Sequence, residues 1–283
     1  MELKNRYDFV MIFDVENGNP NGDPDAGNNP RIDPETGIGL VSDVCLKRKI
    51  RNYVELVKEG EQGYNILIKA DKPLNDKFEN AYAEQSLELK AKGKKQDDVI
   101  KAREYMCKNY YDVRTFGAVM STGDNPCGIV RGPVQINFAK SISPISSQEI
   151  TITRQARTTS DRQETGNTEF GKKSIVPYGL YRAEGYVSAV LANKVGFDSD
   201  DLELLWQAIM NMFENDHSAA RGKMCMRKLY IFKHENILGN CHSNKLFDLI
   251  DSKPTIEVPR KFSDYDITVS EDLPEGVELI SYE

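Results

Sequence analysis

No apolar run in these 283 residues approaches the roughly 18 that a membrane span needs. The start, Met1-Glu2-Leu3-Lys4-Asn5-Arg6, lacks the apolar stretch of a secretory leader. A cytoplasmic protein without membrane contact is expected. The five cysteines, Cys45, Cys107, Cys127, Cys225 and Cys241, are scattered and include no C-x-x-C pair, which excludes a zinc knuckle and a disulfide framework. Reduced, partly buried thiols are expected. His217, His234 and His242 are too few and too far apart to suggest a metal site or an acid–base pair, and no cofactor is expected. Residues 264–283 contain no Lys or Arg but seven carboxylates, equal to the whole net charge of −7. The preceding 263 residues are therefore formally neutral, with basic clusters at Lys47–Arg51, at Lys90–Lys95, and at Arg154, Arg157, Arg162, Lys172 and Lys173. The 39% apolar content is enough for a core in one large domain with insertions, or in two domains.

The most informative stretch runs from Phe9 to Tyr53. A strand-like run from Tyr7 to Asp14 gives way to Asn17-Gly18-Asn19-Pro20-Asn21-Gly22-Asp23-Pro24, and a helix over Ser42–Lys58 follows with Ser42 as its N-cap. Such a loop can bring backbone N–H groups, Asn amides and a helix N-terminus together, as a phosphate chain requires. The helix pattern predicts a buried stripe of Leu46, Ile50, Tyr53 and Val57, with Lys47, Arg51 and Lys58 on a sector beside it facing one groove. Two familiar ligand loops are excluded. An EF-hand template started at Asp14 meets Asn19 where it needs Gly and Asp25 where it needs Glu. Gly166–Ser174 misses a P-loop because Lys173 displaces the required hydroxyl and Pro177 follows where a helix should begin.

Further on, Val134, Ile136 and Phe138 alternate with polar or small residues as a one-sided strand, and Ala183–Ala192 reads as its partner. Asp201–Asn215 is an amphipathic helix capped by Ser199 or Asp198, with Leu202, Leu205, Trp206, Ile209, Met212 and Phe213 on one side. Met224–Phe232 is a last strand. The order β-α-β-β-α-β is that of an α+β, ferredoxin-like (RRM-related) fold. A Lys-rich, helical insertion interrupts it at 59–115, with helices near Asn75–Lys92 and Asp97–Asn109, and a polar hairpin interrupts it at 149–177. An isolated hairpin buries too little apolar area to be rigid alone, so a neighbouring subunit or a bound strand should hold it.

Four segments carry a family resemblance. Asp14–Asp23, Gly39–Arg51, Asp112-Val113-Arg114-Thr115-Phe116-Gly117 and Asp216-His217-Ser218-Ala219-Ala220-Arg221-Gly222 together resemble the backbone subunit of type I CRISPR effector complexes, the Cas-seven family of subtype I-C. The resemblance implies a palm in three parts, 1–58, 116–148 and 178–260, with helical fingers at 59–115, a β-hairpin thumb at 149–177 and an acidic tail at 261–283. It also implies a non-catalytic filament along CRISPR RNA (crRNA), with the target DNA strand, further copies of the chain and other type I-C Cascade subunits as partners. Guide pairing, not protein, would then supply specificity. The residues expected to contact RNA are Asn17, Asn19, Asn21, Ser42, Lys47, Arg48, Arg51, Arg114, Phe116, Arg154, Gln155, Arg157, Lys172 and Arg221, with Arg114 holding a phosphate and Phe116 packing a sugar or base. Arg221 alternatively caps the second helix. Gly185-Tyr186-Val187 lacks the RNP1 aromatic pattern, which favours the loop-and-helix edge over base stacking on the sheet face. The alternative function is a metal-dependent endoribonuclease of the type III kind, using Asp14, Asp23, Asp25 or Asp33. Charge alone suggests that residues 264–283 lie on the basic surface of an adjacent copy.

Overall fold

Five consecutive apolar residues, Phe9 to Phe13, leave β1 (Tyr7–Gly18) no face to turn towards water, and all five are fully buried. It is accordingly a central strand. The computed structural model describes residues 1–89, 95–154 and 169–283. After β1 come the short pair β2 (Gly22–Asp23) and β3 (Asn29–Pro30), then β4 (Ile38–Val41) and α1 (Asp43–Val57). Next are α2 (Leu74–Glu84), α3 (Gln96–Asn109), α4 (Tyr111–Phe116), β5 (Gly117–Met120) and β6 (Gly128–Arg131). The chain continues through β7 (Val134–Ile136), β8 (Ala139–Pro144), β9 (Gln148–Arg154) and β10 (Glu169–Val187) to α5 (Ala189–Val195) and α6 (Ser199–Asn211). It closes with β11 (Lys223–His234), α7 (Ser243–Phe247), β12 (Ile250–Pro254), β13 (Tyr265–Val269) and β14 (Val277–Tyr282).

Among the described residues, the main sheet runs β14-β11-β1-β10-β8-β4, with β7 and β9 also pairing β10, and its pairings are antiparallel. The protein is thus a mixed α/β chain built on an antiparallel sheet. Phe9, Met11, Phe13 and Val15 meet Leu46, Ile50 and Val54 of α1 and Leu205, Trp206 and Ile209 of α6 on one face. Val10 and Ile12 face the other way, under Leu246 and Phe247 of α7 and the β12–β13 pair. Trp206 is core, edge-on to Phe9 with ring centroids 5.2 Å apart. The 59–131 region has its own core of Leu67, Phe78, Tyr82, Met106 and Met120. Burial pushes the Cys107 and Cys127 thiols up to about 11 and about 12, and all five cysteines are free.

Several boundaries move. β1 extends to Gly18, absorbing Asn17 from the expected loop. On α1 the buried apolar positions are Leu46, Ile50 and Val54, with Lys49 and Arg51 buried beside them; Tyr53 is partly buried and Val57 is exposed. Ala183–Ala192 is not one strand: β10 ends at Val187, and the Ser188 hydroxyl accepts the Leu191 N–H to start α5. The side-chain cap outweighs the apolar run. Phe138 is half exposed, because the break between β7 and β8 shifts the alternation and buries Ala139 instead. Asp198, not Ser199, caps α6 in a reciprocal box with Asp201. The expected helix near Asn75–Lys92 ends at Glu84, and residues 90–94 lie outside the described ones.

Residues 264–283 are not a free tail. β13 pairs β12, β14 pairs β11, and Lys228 and Lys233 bond Glu283 and Glu278 within the same chain. A chain ending at Ser263 would uncover Tyr230, Phe232 and Ile250, all buried here. It is expected to lose its cooperative thermal transition in circular dichroism; an unchanged melting curve would contradict this placement.

Candidate nucleic-acid interface

The end of β1, the 19–31 loop, the N-terminus of α1 and the turn 213–222 converge, and backbone contact fixes them together. A Cβ at Gly18 would lie 1.8 Å from the Arg221 carbonyl oxygen, and one at Gly222, whose φ is +62°, would lie 2.4 Å from that of Asn17. Only glycine permits this approach. Asn17, exposed and left-handed at φ 51°, ends the exposed part of the strand.

Asn19 and Asn21 hold the loop. The Asn19 amide donates to the Asn28 carbonyl at 2.7 Å, and its backbone N–H donates to Ala220 at 2.8 Å. Asn19 Oδ1 is buried without a donor among the described residues. Asn21 Oδ1 accepts both the N–H and the hydroxyl of Ser42 at 2.9 Å, while Ser42 Oγ accepts the Cys45 N–H as the predicted N-cap. The loop is thereby pinned to the helix N-terminus. Asp43 in the first turn offsets part of the positive helix end, and Lys47 bonds it at 2.9 Å.

The basic sector of α1 is largely turned inward. Arg51 is 8% exposed and donates from Nε to Asp112 Oδ2 at 2.8 Å. Asp112 also accepts the Leu67 and Ile68 N–H groups, so this pair ties the 59–131 region to α1. Phe116, 8% exposed, lies under both Lys47 and Arg51, whose cationic groups are 5.7 and 5.1 Å from its ring centroid. Arg114 is likewise internal. Its guanidinium donates to both Asp201 oxygens at 2.7 Å and lies beside the stacked Tyr64 and Tyr111 rings, 5.1 and 5.3 Å from their centroids. Arg48 is half-buried and donates to the Ile68 carbonyl at 2.6 Å.

Arg221 differs. Asp216 receives both the buried Lys49 ammonium and Arg221 Nη1, so one carboxylate answers two cations, and the Arg221 side chain remains 38% exposed. That leaves a net positive charge on a rigid turn beside Asn17. Arg221 also donates to the Asp216 carbonyl, so it fastens the turn after α6 as well. Lys49 and Asp216 are the residues that sequence reasoning missed. The turn motif contained Asp216, but nothing in helix periodicity distinguishes Lys49, which neighbours the buried stripe, from a solvated lysine.

Lys172 is exposed on the β9–β10 hairpin, 2.8 Å from Glu149. Arg154 ends β9, while Gln155 and Arg157 lie outside the described residues. The hairpin exposes Ile150, Ile152 and Phe170. The sheet face opposite α1 is covered, with Tyr186 packed edge-on against Phe247; on the α1 face, a Cβ at Gly185 would strike the ring of its cross-strand partner Phe9 at 2.1 Å. Gly185 is there to admit Phe9. The loop carboxylates are separately engaged. Asp14 is buried against Tyr178 and Arg227 at 2.8 Å, Asp23 caps a 3-10 turn and faces Arg31, and the Thr36 hydroxyl, then the Glu35 N–H, hold Asp33 below the usual carboxylate range.

The family model for CRISPR-associated protein Cas7 matches residues 5–270. A curated relative, the CRISPR-associated protein Cas7 of Haloferax volcanii, is 24% identical over 310 aligned positions, covering 99% of this chain and 85% of that protein. A chain of a solved CRISPR RNA-guided surveillance complex, pre-nicking, has the same fold at TM-score 0.50 and 15% identity, covering 80% of this chain and 78% of that one. With a match that spans nearly the whole sequence and a sheet that agrees in shape, the chain belongs to the Cas7 family of CRISPR-associated proteins.

Proposed function

We propose that this chain is a non-catalytic, guide-RNA-binding subunit that repeats along crRNA in a type I-C interference complex and presents the guide in short segments to target DNA. The observation that carries this reading is the family match over residues 5–270. The strand order β11-β1-β10-β7/β8, with α1 and α6 on one face, supports a ferredoxin-like palm, and the β9–β10 hairpin supports a thumb.

On this reading the RNA backbone passes over the junction of β1, α1 and the 213–222 turn. Arg221 supplies the charge, the exposed Asn17 supplies a polar partner, and Lys47 at 14% side-chain exposure adds a second cation. Arg51, Arg114 and Phe116 serve the framework beneath it. Lys172 and Arg154 belong to the proposed thumb, as do, in the sequence reading, Gln155 and Arg157, which lie outside the described residues. In the type III alternative, neighbouring carboxylates would share a metal. Here Asp14, Asp23 and Asp33 have separate partners, and among the described residues no group of three His, Cys, Asp or Glu is placed to hold an ion.

The test is to purify the protein with its complex and incubate it with complementary labelled RNA and Mg2+. RNA of one discrete length should co-purify and the labelled strand should stay intact. Stoichiometric cleavage lost on Asp23→Ala or Asp25→Ala would replace this reading with the endoribonuclease.

A further inference from the structure

Between the helical insertion and the palm, a cleft of about 910 Å³ is walled by α3 and β6 on one side and by α5 and the start of α6 on the other. Arg103, Lys108, Arg131 and Lys194 line it, and none of the four has an ion-pair partner among the described residues. Three carboxylates, Glu104, Asp198 and Asp201, also line it; Asp201 is paired with Arg114, a fifth lining cation, and the N-terminal ammonium lies 3.5 Å from Asp198. The cleft is therefore net positive. Its wall includes Ile129, a β-strand residue that is 60% exposed. Cations left unpaired around an exposed isoleucine describe a surface for an acidic segment with an apolar centre.

The chain carries such a segment. The loop between β13 and β14 reads Glu271-Asp272-Leu273-Pro274-Glu275, with Leu273 38% exposed and its three carboxylates free of ion pairs among the described residues. Strands β13 and β14 hold it in one place, and Pro274 restricts its backbone. This loop follows the strand pair packed on one face of the sheet, whereas α5 and α6, which wall the cleft, pack on the other. A copy cannot readily fill its own cleft, but the next copy can. A cleft and a projection at different places on one chain make a heterologous contact, which repeats along a filament instead of closing a two-fold dimer.

We propose that the 271–275 loop of one copy docks in the cleft of the next, with Leu273 against Ile129 and the three carboxylates among Arg103, Lys108, Arg131 and Lys194. This rests on the reading of the protein as a repeating subunit and names the contact that sets the repeat. Both partners are partly solvated, so the contact weakens as salt rises.

The test uses the full chain and two single-stranded RNAs, one long enough for a single copy and one long enough for several, with copies per RNA read by mass photometry. The cleft variant is Arg131→Glu with Lys194→Glu, and the loop variant is Glu271→Lys with Asp272→Lys. All four side chains are exposed, so the fold should persist, and a thermal melt checks it. Each variant should raise the concentration needed for several copies on the long RNA by about tenfold while leaving affinity for the short RNA unchanged. A chain carrying all four substitutions should assemble again. The docking is overturned if neither variant alters assembly, or if the cleft variant alone weakens binding to the short RNA, which would make the cleft a nucleic-acid site. If the wild-type chain binds the short RNA but never exceeds one copy on the long one, the repeat fails along with the docking. No binding to the short RNA would sink the RNA reading itself.

Discussion

Asp201→Ala is expected to lower folding stability by about 3–5 kcal/mol, the range for removing one partner of a buried ion pair. The reason is what it strands. Arg114 is 6% exposed, and its guanidinium would stay beneath Tyr64 and Tyr111 with no carboxylate to answer it. Asp201 also accepts the Asp198 N–H in the α6 capping box, so the same change loosens the start of that helix. The pair joins the 59–131 region, which has its own core, to α6, and unfolding should lose its single transition as that region separates first. Urea titration followed by tryptophan fluorescence and far-ultraviolet circular dichroism would show this, since Trp206 reports the core of the main sheet while dichroism reports both parts. A loss below about 1 kcal/mol, the scale of an exposed ion pair, would mean that water reaches Arg114. Arg51→Ala should act in the same way through Asp112, by lowering stability and not by weakening RNA binding alone.

Arg221→Ala should instead leave the fold intact and weaken RNA binding by at least about tenfold, since a charged hydrogen bond contributes about 1.5–3 kcal/mol. Lys49 keeps Asp216 after the change, so no buried carboxylate is left without a cation. The effect should be the same for any RNA sequence. Removing one phosphate contact should also make the slope of log affinity against log salt shallower by about 0.7 for a single strand. Fluorescence anisotropy with two unrelated RNAs across a salt series measures both quantities. Full affinity with an unchanged slope would move the RNA path away from the 213–222 turn. Within the proposed site, Arg221 and the Arg51 pair thus separate cleanly: one variant changes affinity at constant stability, the other changes stability first.

Much of the framework was readable because its signals are local. Ser42 three residues before Cys45, the apolar run at Phe9–Phe13 and the stripe of α6 each follow from backbone geometry within a few residues. The boundary at Ser188 was misread because Tyr186-Val187-Ser188-Ala189-Val190-Leu191 satisfies a strand pattern as well as a helix, and the cap decided it. At the candidate interface, the motif positions pointed to the right neighbourhood. They did not distinguish cations that face solvent from those that face carboxylates, because Asp112 is 61 residues from Arg51 and Asp201 is 87 from Arg114. Lys47, Arg51 and Arg114 look equally available in a helix projection.

The sequence by itself determined the family, the buried strand β1 and the capped first helix, since all of these depend on short-range patterns. Only the tertiary structure decided which charges are available. Burial in a medium of low dielectric makes an unpaired ion costly, so the fold assigns Arg51 to Asp112, Arg114 to Asp201 and Lys49 to Asp216, and leaves the second cation on Asp216, Arg221, half in water. It also drew the acidic C-terminal segment into β structure, where β14 covers the edge of β11 and Glu283 and Glu278 meet Lys228 and Lys233.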